Sequence, residues 1–196
     1  MRARDNPFRM ERVLAWRYRL PQTTSWPDLL ERLRALRFRG AIVGPHGCGK
    51  TTLLEDLCAR LQDAGQCVHG QRINAESASR SGTLLAGMQR TVPREAVVVI
   101  DGAEQIGWLQ WKRLIHRARL WRGLIITTHQ EGRLPTLFHC QPRFDILEAM
   151  VRDLAPGLPE TLTRRLPELY QEHQGNLRIC LRALYDEVAQ TLTAPT

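Results

Sequence analysis

Lysine is nearly absent from this chain: of 28 basic residues only Lys50 and Lys112 are lysines, and 26 are arginines. Long hydrophobic runs are absent as well. The longest, Ala96–Ile100 and the stretch around Leu124–Ile126, reach about five residues, far short of the ~20 that cross a bilayer. No apolar leader opens the chain, whose residues 1–20 are Arg-rich, so the expected compartment is the cytoplasm. The cysteines, at positions 48, 58, 67, 140 and 180, are odd in number and lack metal-ligand spacing. That pattern indicates neither a disulfide scaffold nor a zinc site. Internal repeats and low-complexity tracts are missing too.

What remains is the composition of a soluble globular protein: 196 residues, 43% hydrophobic, 24% charged, with a net charge of +8 and a pI near 9.9. At roughly 150 residues per domain, this is one domain with room for a small appendage. The charge is unevenly spread. Residues 1–40 carry ten arginines against Asp5, Glu11, Asp28 and Glu31, a net of +6, which leaves +2 for the other 156 residues. A second basic cluster, Lys112, Arg113, Arg117, Arg119 and Arg122, lies in a stretch from 108 to 122 without an acidic residue. Trp108, Trp111 and Trp121 are interleaved with it. Cations and aromatics in one stripe suit a nucleic-acid backbone or an anionic surface. A plainer reading competes: Trp108, Trp111, Ile115 and Ala118 step at helical spacing, as do Leu114 and Trp121, which is how a core-facing helix stripe looks. The arginine excess is equally well explained by composition alone.

Along the chain, residues 6–22 show no clear element. Ser25-Trp26-Pro27-Asp28 opens a helix expected to run to about Arg37, with Pro in its first turn and Asp near the positive end of the dipole. Ala41–Val43 is a short apolar strand, and a helix over Lys50–Ala64 ends at Gly65. A second strand is expected over Cys67–Ile73, a polar loop over 74–82 and a helix over Leu84–Arg90, stopped by Pro93. Ala96–Ile100 is apolar throughout, as a strand is when helices cover both its faces. A basic helix over 104–122, a strand over Leu124–Thr128 and a short strand over Leu137–Cys140 follow. Beyond Phe144 the pattern is purely helical: 144–154, 159–173 and 176–192. The expected fold is α/β, a P-loop-type parallel sheet flanked by helices with a small C-terminal helical lid. Its expected segments are an N-terminal Arg-rich stretch and helix (1–39), a core (40–143) and a lid (144–196).

One stretch carries chemistry. Gly44-Pro45-His46-Gly47-Cys48-Gly49-Lys50-Thr51-Thr52 matches G-x-x-x-x-G-K-[ST] between a buried strand and a helix start, the context the motif requires. Its glycines let backbone N–H groups turn inward onto phosphate oxygens, and the helix terminus adds donors and dipole. Lys50 would neutralise the β- and γ-phosphates and the Thr51 hydroxyl would coordinate Mg²⁺, so the expected ligands are ATP and Mg²⁺. A compact ammonium is needed there, which fits a lysine standing alone among arginines. Cys48 reads as a small filler of the loop, or else as a thiol activated by the helix terminus.

The strand 96–100 runs into Asp101-Gly102-Ala103-Glu104. A carboxylate at a neighbouring strand tip is what the Mg²⁺ site needs, and Asp101 is assigned to it, through a water. Glu104 is the one nearby acid left to polarise an attacking water; its other reading is a favourable acid in a helix first turn.

Together these features resemble the AAA+ ATPases over roughly residues 40–190. The resemblance implies that a polar strand end, Thr128 or Thr127, orients the attacking water as sensor 1. It also implies that Arg178, in Gly175-Asn176-Leu177-Arg178, reaches the γ-phosphate from the lid as sensor 2. Asn176 suits a helix N-cap and a guanidinium suits phosphate. Asn6-Pro7-Phe8 is similar to the stretch before the core in AAA+ helpers of secretion and transposition. The sequence departs from the family at Gly102, where most such ATPases carry Glu; D-G-x-E is nearer to the NACHT and other signalling ATPases. An arginine finger, which would report a homo-oligomeric ring or filament, has no assignable residue; Arg133, between the sensor strand and the last strand, is the best-placed candidate. Competing readings are an ABC-type ATPase with His129 as its switch residue and a P-loop kinase for a small acceptor with Arg164 and Arg165 in its lid. A third is a nucleotide-gated module for a protein or nucleic-acid partner with little turnover. Phosphate chemistry does not name the client.

Overall fold

A computed structural model describes residues 5–76 and 81–191. The chain forms two compact units that interleave in sequence: Leu20–Gly44 with Leu53–Cys140, and Met1–Arg19 with Pro45–Thr52 and Gln141–Thr196.

The first unit holds the sheet. Its strands are β1 (Arg39–Val43), β2 (Val68–Arg72), β3 (Val97–Asp101), β4 (Gly123–Thr128) and β5 (Thr136–His139), all parallel, in the order β2-β3-β4-β1-β5. Val98, Ile100, Leu124 and Ile126 join a core cluster with Leu85, Met88, Leu114 and Ala118. The alternate residues Ile42, Val97, Val99 and Ile125 are buried as well, so both faces of the central strands are covered, as their unbroken apolar pattern requires. The chain leaves β1 toward β2 on one side while β5 lies on the other. In open α/β sheets such a reversal marks the ligand crevice at the strands' carboxyl ends.

Among the helices, α2 (Trp26–Ala35) starts as expected: Ser25 Oγ accepts from the Asp28 N–H, and the Asp28 carboxylate accepts from the Ser25 N–H in return. It stops short of Arg37, because Arg37 and Phe38 take left-handed backbone conformations (φ 52° and 56°). Helices α3 (Lys50–Asp63) and α4 (Ser81–Thr91) follow. The expected helix over 104–122 is two elements: a single 3-10 turn, Ala103–Gln105, and α5 (Trp108–Ala118). Extended backbone at Ile106 and Gly107 separates them. Glu104 is therefore not in the first turn of α5.

The second unit is helical. A helix missed in the sequence, α1 (Met10–Ala15), precedes α6 (Phe144–Leu154), α7 (Glu160–Arg164), α8 (Leu166–Glu172) and α9 (Leu177–Thr191). The single helix expected over 159–173 breaks at Arg165, ahead of Pro167, which sits in the first turn of α8, where its missing N–H costs nothing. Leu147, Met150, Leu169, Cys180 and Leu184 form this unit's core, and Phe8 is buried with them. Asn6 fixes that entry: its amide donates to Tyr185 O and its Oδ1 accepts from the Phe8 N–H. The Asn6-Pro7-Phe8 stretch is thus a docking segment for the helical unit. No helix of the described residues is long and apolar enough to cross a membrane.

Candidate functional site

The phosphate-loop sequence leaves β1 at Gly44, whose N–H is bonded to Thr128 O at the end of β4, and enters α3 at Lys50. Pro45–Thr52 packs within the helical unit. Gly47 and Gly49 both take positive φ (73° and 93°), the backbone a loop needs to turn successive N–H groups inward. At Gly47 a side chain is disfavoured on two counts. The φ disfavours it, and a Cβ would lie 1.9 Å from Asn176 Oδ1. Asn176 therefore does two jobs: it caps α9, accepting from the Ile179 N–H at 3.3 Å, and it lies directly on the phosphate loop. Tyr18, itself buried, covers Gly49 in the same way, its ring carbons within 3.2 Å of where a Cβ would be. Both contacts join residues far apart in the chain, so the local sequence pattern shows neither.

Lys50 is 9% exposed, and its ammonium donates to Pro45 O at 2.6 Å. It is thus folded over its own loop. Cys48 is buried, as the filler reading expects. Pro45 and His46 are exposed, and Thr51 and Thr52 are half-buried. Arg178 is exposed on the first turn of α9, two residues from Asn176.

The sheet unit carries the acid. Asp101 ends β3 in register with Arg72 on β2. Its Oδ1 accepts from Thr127 Oγ1 at 2.7 Å, and its Oδ2 accepts from Arg72 Nε at 2.9 Å. Thr127 Oγ1 also accepts from the Gly102 N–H at 2.8 Å, so one hydroxyl ties the acid to the turn beyond it. Thr127 is therefore bound up with Asp101, while Thr128, on the opposite pleat, is 2% exposed and lies beside the start of the phosphate loop through its carbonyl. The Cys58 thiol, on α3, is pushed up to about 11 by burial first and by the charges of Glu55 and Asp101 next.

Gly102 explains the missing glutamate. Its φ is +87°, and a Cβ there would come within 2.1 Å of Ile73 O. No side chain fits. The 3-10 turn that follows presents Glu104 instead, with Oε1 3.4 Å from His129 Nε2 and Oε2 buried without a hydrogen-bond partner among the described residues. Arg133 lies in the same neighbourhood. Desolvation lowers the affinity of its guanidinium for a proton and the Glu104 charge acts against that. Arg133 donates to Ile106 O at 2.9 Å and stacks over Trp111, so the residue suggested as a finger is engaged within its own chain.

Several other arginines have intramolecular work. Arg39 donates to Ala118 O at the end of α5 and to Trp121 O beyond it, Arg32 donates to Thr136 O, and Arg19 pairs with Asp153. Arg164 and Arg165, the lid arginines of a kinase reading, pair with Glu160 and Glu187.

Among the described residues no group of three or more His, Cys, Asp or Glu could cage a metal ion. Hard oxygen donors of the kind Mg²⁺ takes are present singly, a carboxylate at Asp101 and a hydroxyl at Thr51.

In sequence the chain matches no family profile and no curated protein. In structure it is similar to a variant of RuvB from Thermotoga maritima, with a TM-score of 0.55 at 16% identity over 84% of this chain. It spans 61% of that RuvB chain, less than two thirds of its length. It also aligns with PCH-2 from C. elegans, with a TM-score of 0.47 at 17% identity over 81% of this chain and 63% of that one. The parallel sheet, the likeness to RuvB and the phosphate-loop sequence between β1 and α3 agree: this chain has the fold of the AAA+ P-loop ATPases.

Proposed function

We propose that the protein binds ATP with Mg²⁺ and hydrolyses it, and that the cycle drives or gates a macromolecular process. The carrying observation is the phosphate-loop sequence leaving β1, an inner strand of the sheet, with a hydrogen-bonded acid at the tip of β3. In this reading Gly44–Gly49 wraps the phosphates with backbone N–H groups, and Lys50 exchanges its bond to Pro45 O for the β- and γ-phosphates. Thr51 supplies a hydroxyl to the ion and Asp101 holds it through a water. When bound, Mg²⁺ neutralises charge that builds on the phosphate oxygens.

Glu104 is the base. Its buried, unpartnered Oε2 is available to take a proton from water, which supports this role. Thr128 orients that water, and Arg178 meets the γ-phosphate from α9. A protein partner or a second copy of the chain completes the working assembly.

A second reading, a nucleotide-gated module with little turnover, is favoured by the contact of Glu104 with His129, which competes for the same carboxylate. Phosphate release and nucleotide binding separate the two. Wild type should turn over ATP, and Lys50→Ala, Glu104→Gln and Arg178→Ala should each lose turnover, by about a hundredfold for the first two. Binding without turnover in wild type transfers the case to the gated module. Glu104→Gln acting like wild type removes Glu104 as the base.

A further inference from the structure

The basic stripe on α5 is only partly core. Leu114, Ala118 and Trp121 are buried, and Trp111 and Ile115 pack against the sheet cluster, as a helical stripe should. Trp108 does not: it is 64% exposed, with Leu109 beside it at 62%. An exposed indole costs solubility and contributes little packing, so it calls for another reason.

The surroundings of Trp108 supply one. Lys112, one turn on, holds its ammonium 4.1 Å from the Trp108 ring centroid. Trp108, Trp111, Lys112, Ile115, His116 and Arg119 line an open groove of about 370 Å³ along a single face of the helix. Lys112, Arg113, Arg117 and Arg119 are exposed, and no acidic residue occurs between Glu104 and Glu131. At 1.5 Å per residue, the cations and indole are strung over roughly 16 Å.

We propose that this face of α5 binds single-stranded nucleic acid, with a base stacked on the exposed indole of Trp108 and the phosphate backbone held by Lys112 and Arg119. Charge complementarity sets the sign of the occupant: uninterrupted cations suit a polyanion. The indole sets its form, because an exposed aromatic ring stacks an unpaired base, whereas a duplex keeps its base faces to itself. Arg133 over Trp111 and Lys112 over Trp108 keep both rings beside a cation, so stacking and phosphate contact fall within one groove. The proposal is independent of the ATPase reading, since no residue in it belongs to the phosphate site.

Fluorescence anisotropy of the full chain with a labelled oligothymidylate of about 20 nucleotides tests it. Binding should weaken steeply as salt rises from roughly 50 to 200 mM. Trp108→Ala should weaken it about tenfold at fixed salt. Lys112→Ala with Arg119→Ala should flatten the salt slope by about 1.4, the share of two phosphates on a single strand. ATP turnover without oligonucleotide should be unchanged in both variants, which also reports that they fold. No binding by wild type, unchanged affinity in Trp108→Ala, equal affinity for a duplex, or a preference for anionic vesicles over the oligonucleotide would each overturn the proposal.

Discussion

The residues proposed for nucleotide chemistry fall in both compact units of the chain. The helical unit holds the phosphate-loop residues from Pro45 to Thr52, pressed by Tyr18 and Asn176, and carries Arg178. The sheet unit holds Asp101, Thr127, Thr128 and Glu104, fixed by strand register and side-chain hydrogen bonds. In the proposed function the first set grips phosphate and the second serves the ion and the attacking water. One boundary falls between Gly44 and Pro45 and the next inside α3, between Thr52 and Leu53, so all of the motif but its first glycine belongs to the helical unit. Binding and chemistry should therefore respond differently to mutation.

The largest effect tests that division directly. Lys50→Ala should lose both turnover and nucleotide affinity, whereas Asp101→Asn should lose about a hundredfold in turnover but still bind nucleotide without Mg²⁺. Calorimetry with and without the ion reads both. Equal losses of affinity in the two variants would erase the distinction.

Next comes the glycine under Asn176. Gly47→Ala should destabilise the loop and cost at least tenfold in nucleotide affinity, since it adds left-handed strain of about 1–2 kcal/mol to a clash with Asn176 Oδ1. Pairing it with Asn176→Gly should restore part of the loss in a double-mutant cycle. No recovery would mean that φ alone, and not the contact, makes glycine necessary there.

A smaller effect is expected in the sheet unit at Arg72, which shares Asp101 with Thr127. Arg72→Ala should lower the Mg²⁺ concentration for half-maximal activity by about two- to fivefold, because a half-exposed guanidinium competes only weakly with a divalent cation. A rise in that midpoint would make Arg72 a partner of the nucleotide instead.

The smallest effect is a difference in thiol reactivity. Cys67 is exposed and should be alkylated first, while Cys58, pushed up to about 11, should react slowly at pH 8 and faster as the pH rises toward that value. Cys180, buried in the helical unit and raised by burial, should also lag. Mass spectrometry of the labelled sites ranks the three, and a Cys58 that reacts as fast as Cys67 would show the sheet unit to be open near Asp101.

Much of this was legible in the chain itself. The phosphate loop, Asp101 at a strand tip and the helical tail are local patterns: fixed spacing, apolar runs and caps act over a few residues, so the sequence carries them on its face. The alternation of apolar strands and helices likewise led to the parallel sheet. Other features depend on residues far apart in the chain meeting in space. The Ile73 carbonyl beside Gly102, Asn176 on Gly47 and Arg72 one strand over from Asp101 are contacts that no local pattern shows. Trp108 obeys the helical spacing of a core residue and is nevertheless 64% exposed at the first position of α5, where the spacing alone does not bring it under cover. The arginines follow the same rule. Their number is a property of composition, but which of them cap carbonyls, pair with acids or remain exposed on α5 is decided by what the folded chain brings within a few ångströms of each guanidinium.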